Sequence, residues 1–93
     1  PLRKGAVRAD PRQLTVWVDD RLLTTLFHKE FAALRLLMES PGPVAKEELM
    51  RGLGYGEGQA SALKQVLHRL RRSFGEPESG RIRTTPEGYE LLG

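Results

Sequence analysis

The chain has 93 residues, 39% of them apolar and 29% charged, with no cysteine and a formal net charge of +3. A chain this short makes one domain and buries about two-thirds of the surface it exposes when unfolded, which argues against a deep catalytic cleft. No apolar run approaches the roughly 18 residues of a membrane span, nothing has the form of a secretory signal peptide, and the lack of thiols excludes disulfides and thiolate metal sites, as expected in a reducing cytoplasm.

The sequence opens at Pro1 in a basic strip, Leu2-Arg3-Lys4-Gly5, with no start methionine, as a piece of a longer protein would. Residues 6–9 predict a first strand, and Asp10-Pro11-Arg12-Gln13 has the chemistry of a turn that returns the chain antiparallel. Residues 14–18, LTVWV, alternate like a half-buried strand, with Trp17 expected in the core. Residues 21–25 pair with them across Asp19-Asp20. An N-terminal antiparallel sheet over 6–25 is therefore expected.

The period then changes. Phe31, Leu34, Leu37 and Met38 recur at three and four residues and predict a helix over 28–39, stopped by Ser40-Pro41-Gly42-Pro43. A short second helix over 46–53 turns Leu49, Met50 and Leu53 inward and ends at Gly54. Residues 54–58, GYGEG, form a connector. Their spaced glycines lack the following lysine that a phosphate-binding loop requires.

A third helix over 59–74 carries the strongest signal in the chain. At about 100° per residue, Leu63, Leu67, Leu70 and Phe74 fall on one side, and Ser61, Gln65, His68, Arg69 and Arg72 on the other. The segment from 61 to 74 holds four of the fifteen basic residues (Lys64, Arg69, Arg71, Arg72) and none of the twelve acids, so the positive excess of the whole chain sits here. Solvated faces commonly mix signs to gain i,i+4 pairs, and this one does not. After a break at 75–80, residues 81–85 and 89–92 predict a closing hairpin. Its turn, Thr85-Pro86-Glu87-Gly88, suits type I geometry, with Gly88 expected at positive φ in a bulge. The expected class is α+β: a single winged helix-turn-helix domain over 1–93, with N-terminal sheet, three helices and a wing over 81–92.

Four segments, HKEFAALRLLMESPGPV, KEELMRGLG, LHRLRRSF and RIRTTPEGYELL, resemble the winged-helix output domain of OmpR/PhoB-type response regulators. The resemblance runs over about residues 7–92 and implies sequence-specific binding of double-stranded DNA, with the third helix in the major groove. On it, Arg69 matches the main base-reading arginine, able to fork onto guanine O6 and N7. Ala62 and Gln65 match groove-facing positions, the latter able to pair with adenine. Ser61, His68 and Arg71 match phosphate-holding positions, and helical geometry adds Arg72. Thr84 matches a backbone contact, and Tyr89 a core residue that also touches phosphate. The resemblance further implies a receiver or other regulatory partner domain, RNA polymerase as a partner, and weak tandem dimers on DNA. About five phosphate contacts would give a salt slope of roughly −4 to −5.

The chain departs from the family pattern in four places. Leu26-Phe27 stands where a Leu-Thr pair usually opens the first helix, leaving Thr25 as the alternative cap, and Ala45 stands where a serine usually caps the second; each loss costs at most about 1 kcal/mol. Lys64 replaces a usual aspartate, which makes this helix more basic than usual and adds Lys64 to the residues expected to hold phosphate. The wing tip is one residue shorter and reads Pro86-Glu87 in place of a minor-groove arginine, and a carboxylate there repels phosphate. That blunt acidic wing motivates an alternative, a protein-interaction module with weak or no DNA binding, fused to a sensor or enzyme. No set of catalytic groups can be assembled, no cofactor motif occurs, and His28 and His68 stand without the carboxylate pattern of a metal site. Glu47 and Glu48 read as first-turn compensation of a helix dipole.

Overall fold

The computed structural model describes residues 1–93. Strands β1 (Leu2–Lys4), β2 (Val7–Asp10), β3 (Thr15–Val18) and β4 (Arg21–Thr25) form one antiparallel sheet in sequence order. Helices α1 (His28–Glu39), α2 (Lys46–Gly52) and α3 (Ala60–Phe74) follow, then a 3₁₀ turn over Glu78–Arg81 and the hairpin β5 (Ile82–Thr85) and β6 (Gly88–Leu91). No helix is long and apolar enough to cross a membrane.

The sheet begins at residue 2 rather than 6, because the basic strip is itself a strand: Leu2, Arg3 and Lys4 pair with Ala9, Arg8 and Val7. Gly5 makes this possible. Its φ of 58° occupies the first central position of a two-residue turn, where a left-handed backbone matches strand twist. Across β3–β4, Asp19 and Asp20 take φ values of 51° and 63°, the primed geometry that short polar side chains tolerate.

Val7, Ala9, Val16 and Val18 point to the core, and alternation then sends Trp17 to the other face. The expectation of a core tryptophan is thus corrected. Trp17 is half-buried in a cross-strand row of Arg3, Arg8, Trp17 and Leu22, with the Arg8 guanidinium 4.3 Å from its ring centroid. A bulge in β4 opposite Val16 and Trp17 sets this register.

Glu39 closes α1 with no basic residue in its last turn. The cation comes from β1: Lys4 Nζ donates to the carbonyls of Ser40 at 2.7 Å and Leu37 at 3.4 Å. Phe27 and Ala45 occupy the N-cap positions of α1 and α2, and neither helix has a side-chain cap. Thr25 does not substitute, since its Oγ1 lies 3.3 Å from Thr15 Oγ1 within the sheet.

The wing turn is a two-residue link, Pro86-Glu87, with Thr85 and Gly88 paired on either side, so the bulge expected at Gly88 is absent. Gly88 does have a positive φ, 150°, but for another reason. A Cβ there would collide with the Val44 carbonyl, because β6 pairs with the α1–α2 connector: Val44 N donates to Tyr89 O at 2.7 Å and Tyr89 N to Val44 O at 3.0 Å.

Candidate nucleic-acid interface

Five side chains lock α3 into the core. Leu63, Val66, Leu67, Leu70 and Phe74 are each at most 3% exposed and pack with Phe31, Leu34 and Leu37 of α1 and Leu49 of α2 in one apolar cluster. This burial decides which way the helix faces, since rotating it would return five large apolar groups to water.

The opposite face is the displayed one. Ser61, Lys64, Gln65, His68, Arg69 and Arg72 are all exposed, and Ala62 is half-buried among them. Lys64, Gln65, His68, Arg69 and Arg72 line one shallow surface depression. Every ion pair lies elsewhere, on Arg3, Arg8, Arg35, Arg81 and Arg83, so Lys64, Arg69 and Arg72 keep their charges unpaired by the protein's own carboxylates. Three free cations on one anchored face create a local positive field stronger than the net charge conveys.

Arg71 stands apart from the other basic residues. Its Nε donates to Ile82 O and its Nη2 to Thr84 Oγ1, both at 2.9 Å, and its guanidinium lies 5.7 Å from the Tyr89 ring centroid. Arg71, Thr84 and Tyr89, expected as separate phosphate-facing positions, are therefore gathered into one joint between α3 and the wing. Tyr89 is buried at 5% exposure, while Thr84 remains accessible. Spacing alone did not reveal the joint, because its acceptor partners come from a strand eleven to thirteen residues away.

The wing itself offers no free cation. Arg83 donates to Glu90 Oε1 at 3.0 Å, Arg81 to Glu78 Oε1 at 2.6 Å, and the tip presents Glu87 to solvent. Phe27, immediately before α1, is 83% exposed beside Arg69. Its place in the Leu26-Phe27 departure from the usual Leu-Thr pair was the one sequence signal that marked it.

A core-anchored third helix, two preceding helices and a C-terminal hairpin under a four-stranded N-terminal sheet define the winged helix-turn-helix fold, in the form found in response-regulator DNA-binding domains. Among solved structures, the chain is similar to the DNA-binding domain of the response regulator AdeR in complex with an intercistronic region, at 15% identity and a TM-score of 0.79 over 100% of both chains. It is also similar to the Klebsiella pneumoniae RstA DNA-binding domain in complex with the RstA box, at 20% identity and a TM-score of 0.75 over 97% of this chain and 94% of that one. A streptococcal redox sensor evolved from two-component response regulators matches at 21% identity and a TM-score of 0.78 over 98% of this chain. The chain spans 41% of that sensor's length. No family model matches the sequence, and no curated protein does.

Proposed function

We propose that this chain is the sequence-specific DNA-binding domain of a cytoplasmic bacterial transcription regulator, with α3 lying in the major groove. What carries this reading is the face of α3 on which Lys64, Arg69 and Arg72 stand exposed and free of ion pairs, opposite an edge fully committed to the core. Gln65 and Arg69 read base edges, with Ala62 admitting close approach. Ser61, Lys64, His68 and Arg72 hold phosphates and fix register. Arg71, Thr84 and Tyr89 present the wing as one piece beside the same backbone. With Arg71 committed to the wing joint and Arg69 to base edges, two basic groups (Lys64, Arg72) remain to neutralise phosphates, and the salt slope falls to about −2. A single copy should bind weakly, so a receiver or other regulatory domain that brings two copies onto tandem half-sites completes the regulator, and RNA polymerase is its downstream partner.

The acidic wing tip and the Arg83–Glu90 pair favour a second reading, a winged-helix protein-interaction module that has lost DNA affinity. Fluorescence anisotropy with a labelled random duplex at two salt concentrations separates the two. Binding that weakens steeply with salt supports the first. An undetectable signal at low ionic strength overturns it in favour of the second.

A further inference from the structure

Phe27 leaves 83% of its side chain in water, more than any other large apolar residue of the chain. An exposed aromatic at a helix start gains nothing for the fold, and here it stands where a side-chain cap is missing. Its surroundings give it a context. Phe27, His28, Lys29, Tyr55 and Arg69 line a groove where the start of α1 and the α2–α3 connector meet α3. Its two walls are tied together, since Lys29 Nζ donates to Leu53 O at 2.6 Å and lies 5.0 Å from the Tyr55 ring centroid. The one acid in its wall, Glu30, is 4% exposed and so presents almost no carboxylate to the surface.

Position around α3 shows what this groove flanks. Arg69 and Arg71 are separated by about 200° at helical pitch, so they mark the two rims of the exposed face. The Arg71 rim is joined to the wing. The Arg69 rim opens onto Phe27. A helix seated in a major groove about 12 Å wide has a sugar-phosphate strand on either side. The wing borders one strand, and the Phe27 corner borders the other.

We propose that Phe27 is a DNA-contact residue whose ring packs on the apolar face of a backbone deoxyribose beside the bases read by α3. This rests on α3 being the reading helix, as proposed above. An apolar ring gains by excluding water from sugar C–H groups and displaces no counterion, so its contribution is independent of salt. It makes good, on the far side of α3, part of the affinity that a wing without a free cation cannot supply.

The test is a salt series of duplex affinities for the wild-type chain, Phe27→Ala, Phe27→Leu and Arg72→Ala. Phe27→Ala should weaken binding roughly five- to tenfold at every salt concentration, with the log-log slope unchanged. Phe27→Leu should recover most of the loss, and Arg72→Ala should make the slope shallower by about 0.9. Thermal unfolding of Phe27→Ala should match wild type, since the ring supports no packing. Wild-type affinity in Phe27→Ala overturns the inference while leaving DNA binding by α3 intact. Loss of self-association in Phe27→Ala, with single-copy affinity unchanged, also overturns it and assigns the ring to a second copy. A wild-type chain that binds no duplex at low salt overturns this inference and the proposed function together.

Discussion

Arg71 and Thr84 are joined by a 2.9 Å hydrogen bond from Nη2 to Oγ1, and through it the third helix carries the wing. The same guanidinium holds the Ile82 carbonyl, so a single side chain ties two points of β5 to α3. The planar fork of arginine makes this possible, because its donors diverge at fixed angles that an ammonium cannot reproduce.

Arg71→Ala should therefore destabilise the fold by about 1–2 kcal/mol through the loss of charge-assisted hydrogen bonds. Arg71→Lys should recover little of it. Urea denaturation followed by circular dichroism measures both, and a lysine variant equal to wild type would show that charge alone suffices.

Gly88→Ala should be far more damaging than its one added methyl implies. The new Cβ meets the Val44 carbonyl, and the φ of 150° is strained for any L side chain. We expect a loss of about 2–4 kcal/mol, with the Val44 and Tyr89 amides losing hydrogen-exchange protection first.

Arg69→Ala and Arg72→Ala should separate specificity from affinity. In selections from randomised duplexes, Arg69→Ala should broaden the recovered sequences. Arg72→Ala should weaken all sequences alike. The reverse outcome would mean that the two arginines have exchanged roles.

Glu87→Arg places a cation at the wing tip, where a carboxylate now faces solvent. Affinity should rise and the salt slope should steepen by about 0.9, one further phosphate neutralised. No change in slope would mean that the tip stands clear of the DNA.

Ala45→Ser restores a side-chain acceptor at the start of α2. The backbone at Ala45, φ −65° and ψ 148°, already has the extended geometry that a capping serine needs. A gain of about 0.5–1 kcal/mol is expected in thermal or chemical unfolding, with duplex affinity unaltered.

Much of this architecture could be read from the chain because its signals are local. The run Ser40-Pro41-Gly42-Pro43 can only end a helix, and the apolar spacing of Leu63, Leu67, Leu70 and Phe74 has no other face to bury. The errors fall where pairing or distant contact decides. β1 has three residues and no period of its own, and it is a strand because Gly5 folds it onto β2. Trp17 has the size of a core residue, but Val16 and Val18 claim the inner face and period two leaves it the outer one. Gly88 has the composition of a bulge, while its constraint comes from Val44, far away in sequence. Phe27 stands at helical spacing from Phe31 and Leu34, and only the extended backbone at residue 27, φ −82° and ψ 167°, turns it outward. The unpaired cations of α3 were legible from the absence of nearby acids, whereas the commitment of Arg71 depended on where the hairpin returned.

The bridge between Val44 and Tyr89 stitches the wing to the connector that precedes α2, while Arg71 clasps it from α3. Thr84 and Tyr89 face each other across one rung, so the hairpin is tethered on both of its strands to the helical part of the fold. Its shape is settled during folding, so docking onto a partner should cost little ordering entropy, and calorimetry of association should find the penalty growing once either tether is cut.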